Sequence, residues 1–167
     1  MAAQTHFEKL MIAADAIGVR LEIIAGLPVW ETSPVYRHQV EVDRIRASVK
    51  AVEGSACACH HIADTVFVFP DGSLKRPDIA MLCRIPNEEE MDSALTQTPA
   101  AVVEIISLGY EEKDLKLAPN FYLAQGVKDV LIFDPRAKLI WHHRIDGVKS
   151  LNAPQEFKLE CGCTLQI

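Results

Sequence analysis

The chain has 167 residues, of which 49% are apolar and 24% charged, and its formal net charge is −6. This is a globular composition, and the length is enough for one domain whose core needs no metal or disulfide to hold it. The acidic balance disfavours a general nucleic-acid-binding protein, which carries a basic face, and no apolar run reaches the roughly 18 residues that a membrane span needs. The first residues lack the basic and apolar regions of a signal peptide, so we expect a cytoplasmic protein.

The first third of the chain has the pattern of a helix, a hairpin and a second helix. Apolar residues at helical spacing predict a helix over Phe7–Ile17. The short apolar runs Val19–Ile24 and Leu27–Trp30 predict two strands around a tight turn. A second helix opens at Pro34, since proline suits the first turn, and we expect it to end near Gly54.

The rest of the chain consists mainly of short segments with the composition of β-strands. These segments are Thr65–Phe69, Asp78–Cys83, Ala100–Ile106, Val130–Phe133, Leu139–His142 and, with one or two strands, the tail Phe157–Ile167. One helix is predicted within Leu115–Ala124, where Pro119 either breaks the helix or begins it. The order of elements predicts a single domain over residues 1–167 with a mixed α/β or α+β fold.

Glu104 is the most informative residue, because it interrupts an apolar run that has the pattern of a strand buried on both faces. A carboxylate in such a dry place needs a cation, a proton or several hydrogen-bond donors. A metal ion is one such partner, and a buried salt bridge to a lysine or arginine is the alternative.

Asp78 is the second candidate, because it follows Arg76-Pro77 at the start of another apolar strand. The alternative for Asp78 is a turn residue that caps the strand. If the two strands are neighbours, Asp78 and Glu104 supply two carboxylates, which with waters and a phosphate are the usual ligands of Mg²⁺.

Several stretches, in their order and spacing, carry a family resemblance over roughly residues 7 to 145. The stretches are Arg20–Gly26, Ser33-Pro34 with Arg37–Gln39, Arg76–Ala80, Val102–Ser107, Asp114-Leu115, Tyr122–Val127 and Ile132–Pro135. Together they resemble a large bacterial family of restriction endonucleases, often called the Uma-two family, within the PD-(D/E)XK nuclease superfamily.

The resemblance implies a restriction-endonuclease-like core, in which a central mixed β-sheet is flanked by helices. It makes Asp78 and Glu104 the metal ligands and matches Glu22 to a glutamate that assists at the site. It also matches His38 to a histidine that opens the second helix. The alternatives are a solvent-facing strand residue for Glu22 and a polar helix-start residue for His38.

The expected lysine is missing from both places where the resemblance would put it. The superfamily has a lysine two residues after the second acid, where this chain has Ile106. The family has one on the following helix, where this chain has Ala118. Lys116 is the preferred substitute over Lys113, and it reaches Glu104 only if Pro119 marks the start of the helix.

The five cysteines include two Cys-X-Cys segments, and in a cytoplasmic chain they are expected to be thiols and not disulfides. On an extended strand Cys57, Cys59 and His61 share one face, and Cys161 and Cys163 are in principle further zinc ligands. We favour ordinary buried thiols and surface histidines over such a metal site.

A short basic stretch, His142-His143-Arg144, lies near Arg136 and Lys138 on a predicted hairpin. It is a candidate contact for a phosphate backbone, but a solvated strand face is the interpretation we favour.

The sequence therefore predicts an endonuclease that hydrolyses phosphodiester bonds in DNA with Mg²⁺, or alternatively Mn²⁺, and whose site residues are Asp78, Glu104, Lys116 and Glu22. The second hypothesis is a nuclease fold that has lost catalysis and acts as a binding or assembly module. A Cys/His metal-binding protein is the third. DNA is the expected partner, a membrane is not, and assembly as a homodimer is left open.

Overall fold

The protein is described by a computed structural model over residues 5–31, 33–109, 111 and 113–167, with the side chain of residue 113 excluded. In chain order the helices are α1 (His6–Ala16), α2 (Tyr36–Ala47) and α3 (Ala118–Ala124), and the π-helical turn Lys113–Leu117 directly precedes α3. The strands are β1 (Arg20–Ile24), β2 (Leu27–Glu31), β3 (Lys50–Ala51), β4 (His60–Ile62), β5 (Phe67–Val68), β6 (Leu74–Lys75), β7 (Ile79–Leu82), β8 (Ala101–Ile105), β9 (Asp129–Asp134), β10 (Leu139–Arg144), β11 (Gly147–Asn152), β12 (Glu156–Lys158) and β13 (Cys163–Gln166). No helix among the described residues is long and apolar enough to cross a lipid bilayer.

The centre of the molecule is a six-stranded sheet in the order β11-β10-β9-β8-β7-β4. Its strands pair antiparallel except β8 and β9, which are parallel. One face packs against α2 and the hairpin β12-β13, and the other packs against α3 and β5. This arrangement confirms the predicted mixed sheet flanked by helices, and it explains why β8 is apolar on both faces.

A smaller sheet in the order β2-β1-β6-β5 packs against α1. Thr5 caps α1 in a capping box with Glu8, which fixes the start of the helix. β1 and β2 form the predicted hairpin, and both turn residues, Ala25 and Gly26, have positive φ.

The second helix is shorter than predicted. α2 ends at Ala47 and not near Gly54, because the Ser48 hydroxyl donates to the carbonyl of Ile45 and the chain then enters β3. The backbone of Lys50–Ala51 pairs with β13, a strand more than a hundred residues later in the chain. Apolar periodicity cannot report such a long-range pairing, so the prediction continued the helix too far.

The basic stretch near the C-terminus binds a buried acid instead of facing solvent. His142 Nε2 lies 2.7 Å and Arg144 Nε 2.6 Å from Oδ1 of Asp129, whose side chain is fully buried. The backbone N–H of Glu160 donates to the other oxygen of Asp129. The prediction of a solvated strand face is therefore wrong for His142, whose side chain is 11% exposed, because sequence spacing did not show that Asp129 points inwards. The side chain of Arg144 is 36% exposed, so it contacts both Asp129 and solvent.

Asp129 should make stability depend on pH. Burial raises the pKa of Asp129, but the hydrogen bonds from His142, Glu160 and Arg144 outweigh burial and hold it below the ordinary value. The ionised form therefore stabilises the fold above the ordinary pKa of about 3.9, and this contribution disappears as the pH falls below it. We expect Asp129→Asn to lower the free energy of unfolding by about 1.5–3 kcal/mol at neutral pH. In urea titrations the difference from wild type should shrink below about pH 4, and a difference that is constant with pH would contradict the role of the ionised form.

Four of the five cysteines are paired as disulfides, Cys57–Cys83 and Cys59–Cys163, and Cys161 is free. The prediction of five thiols is therefore wrong for this state of the chain. The two pairs join the segment before β4 to the end of β7 and to the start of β13, which are distant in sequence. Cysteine spacing alone does not show this convergence.

Candidate active site

Asp78 and Glu104 lie directly opposite each other on adjacent strands. β7 and β8 pair antiparallel with Ile79 opposite Val103, and the same register continued by one residue brings Asp78 to Glu104. Asp78 Oδ2 accepts a hydrogen bond of 2.7 Å from the backbone N–H of Ile105. Glu104 Oε2 accepts one of 3.3 Å from the backbone N–H of Asp78. The prediction that the two carboxylates are neighbours is confirmed, and their role as metal ligands stays a prediction.

The alternation of side chains along β8 directs Glu104 towards α3. Val102 lies two residues before Glu104 and Ile106 two residues after it. Both side chains belong to the apolar cluster that also contains Ala118 and Tyr122 of α3. Ala80, two residues after Asp78, packs in the same cluster. Both carboxylates therefore face the same side of the sheet, at the edge of an apolar core.

Glu104 is held in an environment that disfavours its charge. Its side chain is 8% exposed, and its Oε1 accepts a hydrogen bond of 2.5 Å from the hydroxyl of Tyr122 on α3. Burial, followed by the negative charge of Asp78, raises the pKa of Glu104 well above its ordinary value, and the charge of Lys75 opposes this shift. Burial and the charge of Glu104 also raise the pKa of Tyr122, so the phenol keeps its proton and remains a donor.

His38, in the first turn of α2, fixes the other carboxylate. Its Nε2 lies 3.0 Å from Oδ2 of Asp78, and its Nδ1 lies 3.2 Å from Oε1 of Gln39. Burial lowers the pKa of His38, but the hydrogen bond to Asp78 and the charge of Asp78 outweigh it and raise the pKa above its ordinary value. The helix-start residue that the resemblance singled out is therefore a direct neighbour of the candidate site.

Lys75 is the functional candidate that sequence reasoning missed. β1 and β6 pair with Ile23 opposite Leu74, so continuing the register places Glu22 opposite Lys75. The ammonium of Lys75 lies 3.2 Å from Oε2 of Glu22, and both side chains are 1% exposed. The same ammonium is 4.8 Å from the centre of the Tyr122 ring, within cation–π range. The alternative for Glu22, a solvent-facing strand residue, is therefore wrong.

Four acids lie close enough to Glu104 and Lys75 to affect one another. Glu22, Glu104 and Asp114 are buried and Asp78 is half-buried, and each of these acids affects the pKa of Glu104 or Lys75. Burial lowers the pKa of Lys75, but the charges of Glu22 and Glu104 outweigh it, so the amine stays protonated. Among the described side chains, the carboxylate oxygens of Asp78 and Glu104 are hard donors of the kind that suits a divalent cation.

The positions at which the lysine was expected are apolar and buried. Ile106 and Ala118 both pack in the cluster beneath α3. Lys116 is exposed and lies in the π-helical turn, so it is not part of the buried group of charges, and the side chain of Lys113 lies outside the described residues. α3 does begin next to Pro119, as the condition for Lys116 required, but among the described side chains the buried amine at the site is that of Lys75 on β6.

The sequence does contain a signal for Lys75. Pro70-Asp71-Gly72 has the pattern of a tight turn, and a hairpin around it makes the residues after Gly72 a strand. β5 and β6 do pair around this turn, with Phe67 opposite Lys75. Leu74-Lys75 is too short to show an alternation, and its burial follows only from its place between β1 and β5.

The family model described as "Uma2: Putative restriction endonuclease" matches residues 6–160 of the chain. The chain belongs to the Uma2 family. It is also similar to a solved structure described as a putative nuclease belonging to DUF820 from Anabaena variabilis ATCC 29413. That likeness has a TM-score of 0.61 and 20% sequence identity over 81% of this chain and 78% of the other, and it shows a shared fold. No curated protein matches the chain.

Two exposed arginines flank the candidate site of this Uma2 protein. A shallow pocket beside His38 is lined by Arg37 of α2 and by Arg136, which follows β9. Ile106 and Ser107, at the end of β8, form part of its wall. The pocket reaches His38, which contacts Asp78, and its two arginines give this part of the surface a positive charge despite the negative net charge of the whole chain.

Proposed function

We propose that this Uma2 protein is an endonuclease that hydrolyses phosphodiester bonds in DNA and requires Mg²⁺, with Mn²⁺ as a substitute. The observation that carries the proposal is the pair Asp78 and Glu104, which lie opposite each other on adjacent strands and face the same side of the sheet. Membership of the Uma2 family supports phosphodiester hydrolysis as the reaction class.

Asp78 and Glu104 are the residues proposed to hold the metal. Their oxygens are hard ligands of the kind Mg²⁺ prefers, and burial together with the adjacent charge of Asp78 raises the pKa of Glu104, a shift that a bound cation would oppose. When bound, the metal supplies Lewis-acid polarisation of the scissile phosphate and a lowered pKa for an attacking water.

The other residues position these ligands and supply charge. His38 and the N–H of Ile105 hold Asp78 in place, and Tyr122 holds Glu104. Lys75 keeps a positive charge beside the carboxylates and is ion-paired with Glu22. We propose that the positive charge of Lys75 offsets the negative charge that develops on the scissile phosphate. This is the role that the sequence predicts for Lys116.

The rim of the pocket is the proposed contact for the substrate backbone. Arg37 and Arg136 are exposed on either side of His38, and guanidinium groups bind phosphate oxygens through paired hydrogen bonds. This local charge accounts for how an acidic chain can approach a polyanion.

The test is cleavage of supercoiled plasmid DNA by purified protein in Mg²⁺, in Mn²⁺ and in a chelator. We expect nicked and linear products with either metal and none with the chelator. Glu104→Gln should reduce the rate at least about 100-fold, because it removes a charged metal ligand. Glu53→Gln, at an exposed position away from the site, is the matched control and should cleave at the wild-type rate. Cleavage that persists in the chelator or in Glu104→Gln would contradict the assignment.

A nuclease fold that binds DNA without cleaving it is the second candidate. The observation in its favour is that Ile106 and Ala118, at the two expected lysine positions, are buried apolar residues. Ala118 lies one helical turn before Tyr122, so an amine at this position would point towards Glu104. Metal-dependent DNA binding without cleavage, by both wild type and Ala118→Lys, would favour this candidate.

A further inference from the structure

All five cysteine sulfurs of the chain form one cluster. The Sγ atoms of Cys57, Cys59 and Cys163 lie within 4.8 Å of one another, and so do those of Cys57, Cys83 and Cys161. Cys57 belongs to both groups, and its Sγ lies 3.6 Å from the Sγ of Cys163 in the neighbouring disulfide. The two disulfides therefore touch each other around a shared centre.

The cluster is built by a close approach of two loops. Gly162, between Cys161 and Cys163, has a φ of +89°, and a Cβ at this position would lie 2.5 Å from Oγ of Ser55. Glycine therefore allows the Cys-Gly-Cys turn to pack against the segment that precedes Cys57. The Ser55 hydroxyl also bonds to the carbonyl of Cys161, which fixes the two loops together.

The cluster has a buried interior and an open side. Cys57, Cys59 and Cys163 are buried, whereas Cys83 is exposed and Cys161 is half-buried. Reagents and ions can thus reach the sulfurs from the side of Cys83, while three potential ligands are shielded from water.

The cluster is separate from the candidate active site. Asp78 immediately precedes β7 and Cys83 immediately follows it, so the two lie at opposite ends of this strand. Five residues of extended chain span about 16 Å. Asp78 and the cluster therefore do not share a metal ion.

We propose that the reduced cluster is a zinc site in which Cys57, Cys59 and Cys163, whose sulfurs already lie within 4.8 Å of one another, supply three thiolates. Cys83, which reduction frees from its disulfide with Cys57, turns its side chain towards them to supply the fourth. Thiolates are soft ligands that select Zn²⁺ over Mg²⁺, and four thiolates around Zn²⁺ are a common structural site. Zinc–sulfur bonds of about 2.3 Å in a tetrahedron place the sulfurs about 3.8 Å apart. The 3.6 Å separation of Cys57 and Cys163 matches this spacing without movement of the backbone.

The disulfides and the zinc site are two states of the same residues. A phosphine reductant converts each disulfide to two thiols, and the phosphine takes up the oxygen of one water molecule for each disulfide. Binding of one Zn²⁺ by the four thiols then releases four protons. In both states the cluster ties the hairpin β12-β13 to the central sheet, and zinc takes over this link when the disulfides are reduced.

The experiment uses the full chain, reduced with a phosphine without oxygen and then freed of reductant. A thiol reagent should detect five reactive cysteines before Zn²⁺ is added and one, Cys161, after one equivalent. Co²⁺ in place of Zn²⁺ should bind once per chain with the visible absorption of a tetrahedral thiolate site. Cys161→Ser is the matched control and should bind as wild type does. Cys59→Ser should weaken zinc binding by more than the roughly 10- to 100-fold that loss of an outer-shell partner costs.

Circular dichroism separates loss of the site from loss of the fold. If the reduced protein unfolds and Zn²⁺ restores its structure, the proposal is supported, because metal binding then drives folding. Reduced wild type that binds neither ion, whether folded or not, overturns the proposal. Equal binding by Cys59→Ser and wild type, or loss of binding in Cys161→Ser, overturns the ligand assignment.

Discussion

Replacing Lys75 with methionine should destabilise the protein by about 3–5 kcal/mol, since it removes the cation that is ion-paired with the buried carboxylate of Glu22. Lys75 and Glu22 are each 1% exposed and form an ion pair of 3.2 Å. Methionine has nearly the same length, so the effect reports the lost charge and not a large cavity. Urea unfolding monitored by circular dichroism measures this change.

A double variant separates stability from catalysis. Lys75→Met with Glu22→Gln removes both charges of the pair, and we expect it to recover most of the lost stability. Its cleavage rate should nevertheless remain about 100-fold below that of wild type, because the positive charge beside the phosphate is absent. The loss should appear in kcat with little change in KM, since the proposed role of Lys75 is to offset charge that develops only in the transition state.

Lys116→Ala is the matched control, because Lys116 is the exposed lysine that the sequence favoured. We expect its stability to change by less than about 0.5 kcal/mol and its cleavage rate to stay near that of wild type. The reverse outcome, loss of cleavage in Lys116→Ala and full activity in the double variant, would return the role to Lys116.

The elements that could be predicted from sequence are those whose signals are local. The first hairpin, the strand around Glu104 and the turn before β6 each carry short-range patterns, and the structure has all three. The end of α2 and strand β3 depend on pairing with β13, so no local pattern marks them. Strands β4 and β6 are too short to show an alternation.

The residues of the candidate site also differ in whether a local sequence pattern marks them. Asp78 and Glu104 stand out because each is a carboxylate next to or within an apolar strand. Their proximity to each other then follows from the pairing register of β7 and β8. Lys75 can be recognised as a site residue only once β1 and β6 are known to pair, because that pairing places it opposite Glu22. The cysteine cluster likewise depends on three distant segments that meet at the end of β7.

The metal assignment makes a second prediction with a large effect. Asp78→Asn should abolish binding of Mn²⁺ at the site and reduce cleavage at least about 100-fold, because a neutral amide is a much weaker ligand than a carboxylate. The amide oxygen can still accept the hydrogen bond from the N–H of Ile105. Removing the charge of Asp78 also relieves one of the causes that raise the pKa of Glu104. Stability without metal should therefore change by less than about 1 kcal/mol.

Calorimetry with Mn²⁺ and thermal unfolding with and without the ion test this prediction. Wild type should release or absorb heat on titration and gain thermal stability with Mn²⁺, because an ion that binds only the folded state stabilises it. Asp78→Asn should show neither effect. Asp43→Asn, on the exposed face of α2, removes the same charge from the chain and should behave as wild type does. If Asp78→Asn binds Mn²⁺ with wild-type affinity, Asp78 only fixes the end of strand β8 through Ile105, and the metal must bind elsewhere.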